Sequence, residues 1–185
     1  RGRAEDVGYA PTHRLYLPMS GVITNSEREV IGALAVTELL RGGVTTILEM
    51  EEDAELFAPF IESSGIRAFI GVMVNDVNLD ALASGQTVFD DAVRTQQLSQ
   101  AIGLAERWHG RSDGRIQAVM AANGLSMSSP ALLKGLRAAA DDLGLRVSIH
   151  LGFGERELVE SVHHRAQFNY ALDCGMLGTD VIAVH

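Results

Sequence analysis

The sequence predicts an α/β fold built on a parallel sheet, and three observations carry that prediction. Five short, largely apolar runs recur along the chain, at residues 44–48, 67–74, 116–121, 146–150 and 181–185. Helix-like segments with start and stop signals lie between them, as in successive βαβ units. Two of the runs, LRVSIHLG (145–152) and VIAVH (181–185), deliver a histidine at the C-terminal tip, the end of a parallel strand where ligands and catalytic groups collect.

Taken in order, residues 1–25 show no sustained periodicity and contain Pro11 and Pro18, so an irregular loop is expected, with alternating helices and strands over 26–185 in a single domain. Ser26 to Glu29 has the S-x-x-E spacing of a capping box, opening a helix with Val30, Ala33, Leu34 and Thr37 on one stripe and Gly42-Gly43 as its stop. VTTIL favours a strand, with Glu49 and Met50 at its end. Residues 53–64 form a helix interrupted at Pro59 and stopped at Gly65. After the strand at 67–74, the polar stretch 75–90 reads as an extended loop. A long helix follows at 92–108, burying Val93, Leu98, Ile102 and Ala105, and the turn residues Gly110, Ser112, Asp113 and Gly114 close it. Beyond the strand at 116–121 come a helix at 130–143 ended by Gly144, the strand at 146–150, one helix over 155–172, and the strand at 181–185.

A length of 185 residues suits one domain with a sizeable core. The formal charge of −9, from 24 acidic and 15 basic side chains, would repel a phosphate backbone and argues against a nucleic-acid partner. No apolar run approaches the roughly 20 residues of a membrane-spanning helix, and the first residues lack the apolar core of a secretion signal. The single cysteine, Cys174, cannot form an intrachain disulfide. It suits a reducing cytoplasm and is expected to be a small buried residue. The chain begins at Arg1 and stops on His185 directly after a strand, which reads as a chain cut at both ends.

Imidazole is a preferred ligand of zinc and similar divalent ions, so His150 and His185, at equivalent tips of successive strands, are candidate metal ligands. His163 and His164 lie mid-helix among polar residues and are expected in solvent, while His13 and His109 sit in or beside loops without an assigned role. Gly152-Phe153-Gly154 begins a G-x-G-x-x-G pattern, but Glu157 stands at the third glycine position and the dinucleotide fingerprint is incomplete. G-x-S-x-G does not occur, which removes the simplest serine-hydrolase reading.

Several segments, in the right order, resemble the metal-dependent amidohydrolase superfamily, in its branch of cytosine deaminases, aminohydrolases and triazine hydrolases. AVTELLRGGVTTILEM (35–50) resembles the helix, glycine stop and Thr-rich second barrel strand. AANGLSMSSPALLKGLRAAADDLGLRVSIHLGF (121–153) is similar to the fourth strand, the Ser-Pro helix start and the fifth strand with its metal-binding histidine; VIAVH resembles the sixth strand. The resemblance implies a partial (β/α)8 TIM-type barrel, strands two to six, with the family's first-strand His-x-His lying before Arg1 and its eighth-strand aspartate after His185. It implies a divalent metal, zinc first with iron or manganese as alternatives, held by His150. His185 would ligate a second ion or orient and deprotonate the metal-bound water. Asn123 occupies the place of a substrate-contacting histidine. Phe153 stands where many members carry the proton-shuttling glutamate, which leaves Glu155 as the nearest candidate proton carrier, with a plain helix-start role as its alternative.

The expected function is metal-dependent hydrolysis of a C–N or similar bond in a small cyclic or amide substrate. The alternatives are a catalytically degenerate amidohydrolase-like protein serving binding or assembly, and a small doubly wound α/β binding protein with structural histidines. A barrel sheet left unclosed would expose its edges and associate, so a homo-oligomer is the expected form of such a piece.

Overall fold

The computed structural model describes residues 21–152 and 154–185. The expected loop at 1–20, with His13, and Phe153 lie outside the described residues.

Helix α1 (Asn25–Arg41) leads into strand β1 (Thr46–Glu51), α2 (Ala54–Ser64) and β2 (Arg67–Val74). The stretch expected as extended loop carries a short helix, α3 (Leu79–Ala83), capped by Asn78, and an antiparallel bridge between Val77 and Phe89. Then come α4 (Asp91–Trp108), a single turn α5 (Arg111–Gly114), β3 (Ile116–Ala122), α6 (Pro130–Leu143) and β4 (Arg146–His150). The helix expected over 155–172 is two helices, α7 (Arg156–His163) and α8 (Gln167–Asp173), because His164 turns into the left-handed region at φ 52°. Strand β5 (Val181–Val184) closes the sheet. No helix among the described residues is long and apolar enough to cross a membrane.

All five strands are parallel neighbours in chain order, β1-β2-β3-β4-β5. A doubly wound sheet reverses its order at a switch point, so that alternative is rejected. The sheet is curled, and one contact measures it. The Ser148 hydroxyl of β4 lies 2.8 Å from the Met50 sulfur of β1, three strands away, whereas a flat sheet would separate those strands by about 14 Å at roughly 4.8 Å per step.

The convex face carries the core. Ile70, Val72 and Val74 of β2, Met120 of β3 and Val147 and Ile149 of β4 pack against Ile61, Leu104, Leu132 and Leu136 of the covering helices. Gly71 faces the concave side, where an added Cβ would lie 2.4 Å from the Val119 carbonyl oxygen; only glycine fits this close approach of β2 and β3.

Helix α6 starts at Ser129, whose hydroxyl accepts from the Leu132 N–H at 3.0 Å, with Pro130 at its first turn and Gly144 left-handed at its end. At α1 the capping box is Thr24–Glu27, not Ser26–Glu29: the Glu27 carboxylate accepts from the Thr24 N–H at 2.8 Å. The expected buried stripe of α1 is also displaced. Val30 and Leu34 are 69% and 59% exposed, while Val36 is buried and Gly32 lets the ring of Phe57 approach its backbone. The missing side chain of Gly32 is what permits this close packing on α2.

Candidate active site

His150 is the last residue of β4. Its Nδ1 lies 2.9 Å from the carbonyl oxygen of Asn123, just beyond β3. A carbonyl only accepts, so Nδ1 carries the proton and this tautomer places its lone pair on Nε2, the arrangement found when an imidazole serves as a metal ligand through Nε2.

Val184 pairs with His150 across β4 and β5, so strict alternation would turn His185 to the other side. Instead His185 has φ 88°, and its ring centroid lies 5.2 Å from that of His150, tilted by 32°. The two expected metal ligands are therefore brought together. Among the described residues no group of three or more His, Cys, Asp or Glu could hold a metal ion.

Two carboxyl groups lie at the end of β1, and Glu49, which pairs with Ile70, is on the helix-covered face of the sheet. Burial, with Glu51 adding repulsion, pushes Glu49 up to about 7. Glu51 is also raised, by burial first and then by its acidic neighbours, against an opposing attraction to His150. Sequence reasoning noted Glu49 only as a strand-end residue and passed over Glu51; an acid ending an apolar strand was the available signal.

The β3–α6 loop, residues 123–129, is pinned from several directions. The Asn123 N–H donates to the Val74 carbonyl at 2.9 Å. Asp76, fully buried, accepts from the Ser129 N–H at 2.8 Å and from its hydroxyl at 2.5 Å. Tyr170 donates its hydroxyl to the Ser128 carbonyl at 2.8 Å, and burial pushes that phenol well up.

Glu155 is 5% exposed. Its carboxylate accepts from the backbone N–H groups of Leu125 at 3.3 Å and Ser126 at 3.0 Å, and from the Gln167 amide at 3.4 Å. It stands at the N-cap position of α7 without a side-chain capping bond. Glu155 thus stands at the helix start, the position its alternative reading gave it, with its carboxylate engaged by the β3–α6 loop rather than by a capping bond.

His163 corrects another expectation. It is half-buried rather than solvated, stacked between Phe89 at 5.6 Å and Tyr170 at 3.9 Å between centroids, and its Nε2–H donates to the Leu125 carbonyl at 2.9 Å. Burial lowers its pKa. His164 is exposed as expected. His109 has a structural task, its Nδ1 accepting from the Ala118 N–H at 3.2 Å. Cys174 is buried as expected, and burial raises its thiol pKa.

A curled parallel sheet with helices on its convex side defines part of a (β/α) barrel. The chain belongs to the amidohydrolase family, whose profile it matches over residues 8–185. It is 32% identical over 171 residues to a 5'-deoxyadenosine deaminase of Methanobrevibacter smithii, covering 91% of this chain and 37% of that protein. Among solved structures it superposes on a triazine hydrolase from Arthrobacter aurescens with a TM-score of 0.78 at 14% identity, covering 94% of this chain and 40% of the other. It also superposes on an adenosine deaminase of Xanthomonas campestris with bound zinc, with a TM-score of 0.76 at 21% identity over 95% of this chain and 38% of the other. The chain thus spans about two fifths of the length of these proteins.

Proposed function

We propose that this chain is the part of a metal-dependent amidohydrolase that carries barrel strands two to six, and that the whole enzyme hydrolyses a C–N bond at an electrophilic ring carbon of a small substrate. The single observation that supports it most is the convergence of His150 and His185 at the tips of β4 and β5. The relative named as a 5'-deoxyadenosine deaminase supports a purine nucleoside as the substrate class. The one buried cysteine supports a cytoplasmic setting, and self-association remains the expected behaviour of an unclosed sheet.

The donor set fits a divalent metal. The Nδ1–H tautomer of His150 is the one that ligates through Nε2, and the zinc-bound neighbour supports zinc over iron or manganese. His150 and His185 would hold the ion, together with ligands from outside these strands. When bound, such an ion lowers the pKa of a coordinated water to near neutrality. As the alternative to holding an ion, His185 would orient such a water and accept its proton. Asn123, at the register position beside His150, offers its side-chain amide to the substrate.

The test is ammonia release from 5'-deoxyadenosine by the protein at the length of its relatives. Turnover that is lost on chelation, restored by zinc, and reduced at least 100-fold in His185→Gln is expected. Turnover indifferent to chelation would overturn the metal-dependent reading.

A further inference from the structure

Leu125 is held on both sides of its peptide. Its N–H donates to Glu155 and its carbonyl accepts from His163, while its side chain is fully buried. Two residues upstream on the same loop, the Asn123 carbonyl meets His150 Nδ1. Residues from the two ends of α7 therefore grip a loop whose first carbonyl selects which ring nitrogen of His150 carries the proton.

We propose that Glu155 and His163 are positioning residues: by fixing Leu125 and Ser126 they hold the Asn123 carbonyl against His150 Nδ1 and so keep Nε2 as the metal-binding nitrogen. This rests on the reading of His150 as a metal ligand. The two grips are chemically complementary. A carboxylate accepts both N–H groups without offering a hydrogen, and a neutral imidazole with its proton on Nε2 supplies the donor for the carbonyl. Glutamine at 155 would turn an amide NH2 toward at least one backbone N–H, donor against donor, and release one side of the loop. Phenylalanine at 163 would keep the stack between Phe89 and Tyr170 but leave the Leu125 carbonyl without its donor. Once the loop shifts, the Asn123 carbonyl no longer dictates the tautomer, and a fraction of His150 carries its proton on Nε2, where it cannot ligate.

The experiment uses the protein at the length of its relatives, labelled with 15N-histidine, and compares wild type with Glu155→Gln, His163→Phe and, as a control on the same helix, the exposed Glu157→Gln. Nitrogen shifts of His150, assigned through His150→Gln, report the tautomer with and without zinc, and chelator competition reports zinc affinity. The expected result is the Nδ1–H tautomer in wild type and Glu157→Gln, a mixed or Nε2–H signal in the metal-free forms of the other two, and zinc affinity about tenfold weaker in both, as for loss of supporting contacts around a ligand. If Glu155→Gln does not fold, His163→Phe carries the same reading alone. Wild-type tautomer and zinc affinity in both variants would overturn the proposal. So would a Glu155→Gln protein that loses turnover while its tautomer and affinity stay unchanged, since Glu155 would then be the proton carrier. If wild type shows the Nδ1–H tautomer, and the variants lose it, but no form binds zinc, the metal reading falls and the positioning role stands.

Discussion

Two pairs of carboxyl groups occupy the strand-end side of this sheet, and they are treated in opposite ways. Asp76 and Glu155 are buried, and backbone N–H groups of Leu125, Ser126 and Ser129 converge on their oxygens. Glu49, half-buried, and Glu51, exposed at the end of β1, have their pKa raised by desolvation first, with no donor among the causes for either. The same side-chain chemistry therefore gives a rigid loop over β3 and β4 and a proton-labile edge over β1. Burial of a carboxylate is tolerated where donors are supplied and shifts its ionisation where they are not.

The largest expected effect lies on the rigid side. Asp76→Ala removes the acceptor for both the N–H and the hydroxyl of the residue that caps α6, leaving a buried donor unsatisfied. A loss of about 3 kcal/mol in unfolding free energy is expected. Asp91→Ala removes an exposed partner of Arg94 and should cost about 0.5 kcal/mol or less. Urea melts check both, and equal losses would erase the contrast between a donor-satisfied buried acid and a surface ion pair.

On the labile side the effect is smaller and depends on pH. Glu49 ionises near 7 when folded, above the ordinary carboxylate range that holds when the chain is unfolded. Below about pH 4.5 both states are protonated and the group makes no difference. As pH rises toward 7 the unfolded state ionises first and stability falls, and above 7 the full penalty persists. Glu49→Gln should therefore leave stability unchanged at pH 4 and raise it by about 2 kcal/mol at pH 8. Thermal melts at the two pH values check this, and a gain confined to the acid side would reverse the assignment.

Much of this architecture was legible in the residues themselves. The bounds of α6 and β4 follow from Ser129-Pro130, Gly144 and a β-branched run ending in His150, all local signals. The approach of His150 and His185 followed from two matching strand tips, although the positive φ that turns His185 back did not. At α1, T-x-x-E and S-x-x-E overlap by two residues, and periodicity favoured Val30 and Leu34 over Val36, which is buried, and Gly32, which meets Phe57 of α2. The tasks of Asp76, Glu155 and His163 were invisible for a different reason. Their partners are backbone groups 29 to 53 residues away, and a backbone donor or acceptor leaves no mark on the sequence that a spacing rule could find.

The most direct test of the account is the metal content of the protein at the length of its relatives, measured by elemental mass spectrometry for wild type, His150→Gln and His163→Phe, all purified without added metal. The account predicts stoichiometric zinc in wild type, near-complete loss in His150→Gln, and partial occupancy in His163→Phe. Full zinc retention in a folded His150→Gln protein would contradict it, because the ion would then be held without the histidine around which this end of the sheet is arranged.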